Sequence, residues 1–216
     1  MSETNFLRRI FSKSFASKKN LIITIDREHG SGGFEISKII GELLNIEVYD
    51  EDIIELKTLE GKVDPDNIKK DDSFLQGTIY DLYRENYSYS QEDITNIDAS
   101  FLANSKTIRD FAKKGSCIIL GKCANYVLKD NYDIFSVFIT ADKEYRIERI
   151  MQKYNIDREK AIYTMNKKDT RRKNHYNKFT NGSWGNAFEY DLTINSSKFS
   201  NEDVAKIIIK SSELKK

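Results

Sequence analysis

The densest chemistry in the chain lies in Arg27-Glu28-His29-Gly30-Ser31-Gly32-Gly33-Phe34-Glu35. Three glycines fall within four positions. They follow the apolar run Leu21–Asp26 and precede Ile36, Ile39, Ile40, Leu43 and Leu44, which repeat with helical spacing. A buried strand, a glycine loop and a helix start form the arrangement that holds phosphate. Backbone N–H groups converge on an anion at the helix N-terminus, and glycine lets them come close. The standard loop, G-x-x-x-x-G-K-[ST], adds a lysine and a magnesium-binding hydroxyl. With Gly32 set on its second glycine, Arg27 takes the first glycine's place, Gly33 the lysine's and Phe34 the hydroxyl's. The cradle is kept while its usual cation is gone. Arg27 is the candidate replacement; its other reading is an ion pair with Glu28, Glu35 or Asp50. The loop's other reading is a tight strand-to-helix turn. A dinucleotide site needs G-x-G-x-x-G, and its last glycine would fall on Glu35, whose carboxylate would repel pyrophosphate.

Further cations are Lys122 after Gly121, Arg146, Arg149, and Arg171 with Arg172 inside the run 167–173. Such a run is by default a solvated helix face. Ser31, Asp26 and Asp50 are the groups offered for magnesium. His29 can hydrogen-bond a phosphate. Tyr176 and Trp184 can stack on a base or simply pack. Tyr80, Tyr83 and Tyr87 share one helix face, and Asp64-x-Asp66 lacks the remaining ligands of a calcium loop.

These residues need a frame. Leu21–Asp26, Ile46–Tyr49, Cys117–Leu120, Ile134–Ile139 and Tyr190–Ile194 read as five strands, and the first is an almost continuous apolar run, as in a parallel sheet covered on both faces. Helical patterns separate them. Asn45 is placed as a C-cap. Asp142 is placed as the N-cap of a helix turning Ile147, Ile150, Met151 and Tyr154 inward, and Asp157 as the next N-cap, with Ala161, Ile162 and Met165 inward. Ser200-x-x-Asp203 opens the last helix as a capping box, with Val204, Ile207 and Ile208 inward. Alternating strands and helices imply right-handed crossovers, and ligands then sit beyond the strands' carboxyl ends. The glycine loop, Asp50 and Gly121-Lys122 converge there.

The chain has 216 residues and a net charge of +1, so bulk charge offers no attraction for nucleic acid. Two cysteines and two histidines exclude a disulfide framework and a histidine-rich metal site, and a reducing, cytoplasmic location is expected. No run of about 18 apolar residues marks a membrane span. Residues 1–19 are basic and amphipathic. A helix packed on the domain or on a partner subunit, or a frayed tail, is preferred there over a membrane-surface helix.

The string Ile25–Ile36, Tyr49-Asp50, Gly121–Leu128, Asp169-x-Arg171-Arg172, Trp184-Gly185 and Tyr190–Leu192 together resembles the cytidylate kinase-like family, over about residues 21–209. The resemblance implies a P-loop kinase-type three-layer α/β/α fold with a five-stranded parallel sheet. A single domain (20–216) would carry a helical monophosphate-binding segment (51–114) and a small lid (155–188). It implies transfer of the ATP γ-phosphate to a nucleoside monophosphate, CMP or dCMP by default, with Mg2+. The rival is a nucleotide-binding sensor that has lost transfer. In the family's pattern, Gly30, Ser31, Gly32 and Gly33 would wrap the donor phosphates; Asp50, Lys122, Arg146 and Arg149 would serve the acceptor; and Arg171 and Arg172 would close over the transferring group with Arg27. Lys122 stands where relatives carry arginine, which exchanges a bidentate fork for a point charge.

Overall fold

The computed structural model describes residues 20–60 and 91–215. The basic N-terminal segment, the Asp64-x-Asp66 patch, the four tyrosines at 80–89 and the middle of the expected acceptor segment lie outside them. Five strands form one all-parallel sheet in the order β2-β3-β1-β4-β5. They are β1 (Ile22–Arg27), β2 (Glu47–Tyr49), β3 (Cys117–Leu120), β4 (Ile134–Thr140) and β5 (Leu192–Asn195). The helices are α1 (Gly33–Leu44), α2 (Glu51–Glu60), α3 (Gln91–Lys114), α4 (Ala124–Leu128), α5 (Lys143–Tyr154), α6 (Arg158–Thr180) and α7 (Asn201–Leu214).

Alternation along β1 decides the layers, because successive side chains leave opposite faces of a strand. Ile23 and Ile25 pack with Ile36 and Ile40 of α1 and Val204 and Ile208 of α7. Ile22 faces the other way, among Phe101, Ile108 and Phe111 of α3, Leu128 of α4 and Phe179 of α6. The result is the three-layer α/β/α arrangement expected. α5 and α6 add a small core of Ile147, Ile150, Ala161 and Met165.

The caps are local and mostly legible. Asn45 ends α1 in the left-handed region, with φ 55°, a conformation short polar side chains tolerate. Asp157 accepts from the Lys160 N–H at 2.8 Å, and Ser200 from Asp203 N–H at 3.1 Å. Two expectations need correction. Asp142 sits at the start of α5 but makes no side-chain cap; its carboxylate instead takes Asn195 and Lys198 from the far side of β5. Tyr154 does not turn inward: it is 43% exposed and faces the His29 ring, 6.0 Å away. The last strand also begins later than expected. Asp191 satisfies the Ser136 N–H with its carboxylate, and Tyr190 reaches back toward Asp26.

Candidate active site

All the chemistry-bearing loops emerge at the carboxyl end of the sheet, where β1, β2 and β3 stop at Arg27, Tyr49 and Leu120. After Arg27 the chain makes two left-handed glycines, Gly30 (φ 87°) and Gly32 (φ 83°), and then starts α1 at Gly33. A Cβ at Gly30 would come within 2.8 Å of the Arg146 carbonyl, so both the angle and the space demand glycine. The N–H groups of Gly32, Gly33 and Phe34 donate to no protein acceptor among the described residues. They are the first amides of a helix, which carry no intrahelical partner. The Ser31 hydroxyl is fully buried and donates to the Glu28 carbonyl at 2.9 Å.

Gly33 explains the missing lysine in spatial terms. An ideal Cβ there would lie 2.8 Å from both Cβ and Cγ of Arg27. The side-chain stem of Arg27 therefore crosses the space that a residue larger than glycine would need. Its guanidinium lies over Gly121 and meets Glu51 at 2.8 Å, an ion contact without aligned hydrogen-bond geometry. None of the three partners considered for Arg27 from sequence is the one found. Burial pulls the Arg27 guanidinium below its ordinary range, against the opposing field of Glu51.

Glu51 is the residue that sequence reasoning missed. Its neighbour Asp50 was expected to face the acceptor, but Asp50 caps α2 by accepting from the Ile53 N–H at 2.9 Å. The Glu51 carboxylate meets Arg27, Arg172 Nε at 3.3 Å and, at the edge of range, Arg171 at 4.0 Å. Burial alone would raise its carboxyl; Arg27, Arg172, Lys122 and Arg171 hold it down to about 2. An acid in the first turn after a strand end was the available signal.

Two cavities open on either side of this cluster. The first, about 620 Å³, is lined by the glycine loop with Arg27, Arg149, Lys153, Lys168 and Arg172. The second, about 430 Å³, is lined by Asp26, Gly121, Lys122, Arg171, Arg172, His175, Phe101 and Phe179. Of the described residues, only Glu51 and Arg172 line both. The structure thus brings Lys122, Arg171 and Arg172 together, while Arg146 and Arg149, expected beside the acceptor, flank the glycine loop instead. Arg149 lies over Gly32 and within 3.7 Å of Glu35. Arg146 is buried against Asp169 and Glu28. Lys122 is paired with Glu55. Arg171 projects outward, its side chain 76% exposed.

Behind the second cavity, Asp26 is buried. It accepts from its neighbour's backbone N–H at 2.8 Å and from Trp184 Nε1–H at 2.9 Å, with the Tyr190 hydroxyl at 3.4 Å. Burial pushes its carboxyl up, against the pull of Arg27. Trp184 is therefore a donor to Asp26 rather than a stacking platform. Tyr176 accepts from Asn125 Nδ2 at 2.9 Å and lines the same cavity. Of the groups offered for magnesium, Ser31 and Asp26 are buried and hydrogen-bonded within the fold, while Asp50 uses one oxygen to cap α2 and lines the first cavity. No group of three or more His, Cys, Asp or Glu side chains converges on a metal position among the described residues. Mg2+ needs no such cage, since one or two carboxylates plus substrate phosphates and water hold it. Glu51, alone among the described carboxylates in lining both cavities, fits that requirement.

Residues 22–198 match the cytidylate kinase-like family. The chain belongs to it. A cytidylate kinase of Archaeoglobus fulgidus is 29% identical over 200 residues, covering 90% of this chain and 96% of that one. A cytidylate kinase of Methanocaldococcus jannaschii is 26% identical over 190 residues, covering 87% and 95%. Among solved structures, an uncharacterized protein from Eubacterium ventriosum superposes with a TM-score of 0.75 at 27% identity, covering 91% of this chain and all of that one. Shikimate kinase from Acinetobacter baumannii shares the fold, with a TM-score of 0.51 at 16% identity over 92% and 95% of the two chains. Family and fold together support a kinase-type function. No helix among the described residues is long and apolar enough to cross a membrane.

Proposed function

We propose that this member of the cytidylate kinase-like family transfers the γ-phosphate of ATP to a nucleoside monophosphate, with CMP or dCMP the leading acceptor. The observation that carries the reading is the pair of cavities joined at Glu51 and Arg172. Transfer between two nucleotides needs two adjoining sites and a shared boundary rich in positive charge, because catalysis here is positioning and charge stabilisation. The first cavity takes the donor. Free amides of Gly32, Gly33 and Phe34 meet its phosphates, and Arg149, Lys153 and Lys168 offset their charge. The second cavity takes the acceptor, whose phosphate meets Lys122 and Arg171. Arg172 spans both and faces the group in transit. Arg27 supplies from the strand the positive charge that the loop lacks.

Magnesium would neutralise and orient the donor phosphates. Glu51 would hold it directly or through water. Glu51 lies between Arg27 and Arg172, so phosphates bound there would compete for the same guanidiniums. That carboxylate keeps the arginines extended and in place.

The test is a coupled phosphotransfer assay with Mg-ATP against all ribo- and deoxyribonucleoside monophosphates, beside calorimetric ATP binding. Turnover on a pyrimidine monophosphate supports the reading. The second reading, a nucleotide sensor without transfer, is favoured by one observation: Arg27 and Arg172 are already ion-paired with Glu51. ATP binding with no turnover on any acceptor would establish that reading instead.

A further inference from the structure

Asp169 lies in the middle of α6, 140 positions from the glycine loop in sequence, yet it accepts from the His29 N–H at 2.7 Å through Oδ1. Its other oxygen, Oδ2, takes Arg146 at 2.5 Å. Arg146 in turn donates to the His29 carbonyl at 3.3 Å and reaches Glu28 at 3.6 Å. The N–H and the C=O of His29 are therefore held by the two members of one ion pair. The Arg172 guanidinium, one turn further along the same face of α6, donates to the Arg27 carbonyl at 3.1 Å. On the other flank, the Glu28 N–H donates to the Ile139 carbonyl at 3.0 Å, and the Ser31 carbonyl accepts from the Ser196 hydroxyl at 2.7 Å. The backbone leading into the left-handed Gly30 is thus fixed from α5, α6, β4 and the Ser196 turn, while the amides beyond it stay free.

We infer that Asp169 and Arg146 are positioning residues: together they clamp the His29 peptide and so aim the free amides of Gly32, Gly33 and Phe34 into the first cavity. The inference rests on the proposed donor site for its functional consequence, though not for the clamp itself. A glycine-rich loop has a large conformational entropy to lose on ordering. Held beforehand, the loop binds an anion without that loss, which is preorganisation. Asp169 and Arg172 sit at i and i+3, on one helix face. Any movement of α6 that releases Arg172 therefore also releases the loop, and a ligand gripped by the loop stabilises the seated helix.

The test uses the full chain and two variants that remove the charges, the isosteric Asp169→Asn and the shorter Arg146→Gln, with two readouts. The first is hydrogen exchange of the His29 and Ser31 amides, the two that are hydrogen-bonded in the loop, with the β3 amides as internal reference. Exchange should rise at least tenfold in both variants while β3 is unchanged. The second is the dissociation constant for Mg-ATP, which should rise about tenfold in both variants, against a change under twofold for the acceptor. Unchanged exchange of the His29 and Ser31 amides overturns the clamp whatever the protein's activity. Faster exchange with unaltered ATP affinity overturns the functional consequence. A wild-type protein that binds no ATP sinks the proposed donor site, and the exchange data still decide the clamp. Equal loss of exchange protection in β3 would assign Asp169 to general stability and overturn the inference. Asp169→Glu, which keeps the charge, should restore part of the ATP affinity.

Discussion

The two cavities are built in opposite ways. The first is largely a local object: eight residues of the single stretch Arg27–Glu35 line it, and cations from α5 and α6 complete it. The second is assembled from distant pieces. Asp26, Glu51, Phe101, Lys122, His175 and Phe179 come from four elements and the turn after β3, and its floor is aromatic. A site held by backbone amides tolerates varied side chains, whereas a site made of side chains from separate helices depends on every element arriving in register. Among the described residues only Glu51 and Arg172 belong to both.

That comparison can be broken most sharply at Arg172. Arg172→Ala should cost about 10³-fold in kcat, as loss of a transition-state arginine does, and should weaken both ligands. Arg171→Ala, whose side chain is mostly exposed, should act on the acceptor side with a loss nearer tenfold. Steady-state kinetics with each substrate varied in turn separates the two. Equal effects from both arginines would mean that the boundary is not special.

Acid should act on the boundary next. Glu51 is held down to about 2 from an ordinary 4.5, so its contribution is complete above 4.5 and disappears as pH falls toward 2. Its size is on the order of 3 kcal/mol. The two histidines, one in each cavity, are lowered by burial, His29 to about 3 and His175 to about 4. Both are neutral when folded, so stability should begin to fall once pH drops below 6.5, where the unfolded chain takes up protons first. A thermal-denaturation series against pH should show two declines. His175→Gln should flatten the upper one, and Glu51→Gln the lower. A melting temperature flat from pH 7 to 5 would contradict the buried, neutral assignment of both rings.

Gly33→Ala probes the first cavity alone. The new methyl meets the Arg27 stem, and such overpacking costs about 1–3 kcal/mol. Donor affinity should fall with it. Combining it with Arg27→Ala should cost less stability than the two separate losses added, since the obstructed side chain is gone. Strict additivity would mean that Arg27 and Gly33 do not share space. The smallest effect sharpens the comparison most cleanly. Lys122→Ala should raise the acceptor KM about tenfold with little change for ATP, and Lys153→Ala should do the reverse by a few-fold, both read from initial rates.

Legibility in the sequence followed the same division. The five strands, the layer order they imply, and the glycine loop could be read because each rests on neighbours in sequence: apolar runs, helical spacing, consecutive glycines. Asp50 and Glu51 show where that reading ends. Both acids follow β2, and only the geometry of the first helical turn decides which one caps the helix and which one faces the arginines. That Arg146 and Arg149 flank the glycine loop was not legible for a related reason. Helix α5 lies beside the glycine loop in space, and no residue pattern within α5 reports what packs against it. Tyr154 followed the inward stripe of its helix by spacing, but the helix ends there, and the ring turns to His29 at the cavity wall. Asp169 looked like one acid in a charged run; its partners lie 23 and 140 positions away.

The exchange between Arg27 and Gly33 has a consequence for how such loops are recognised at all. A search that asks for a lysine after the second glycine encodes an order of letters. On the proposed reading what matters is occupancy: the long basic side chain beside the helix start descends from the strand. In this chain a glycine at the lysine position is the vacancy that admits the arginine. Degeneracy judged by the missing letter would therefore miscount as broken those loops whose cation has merely changed its point of attachment.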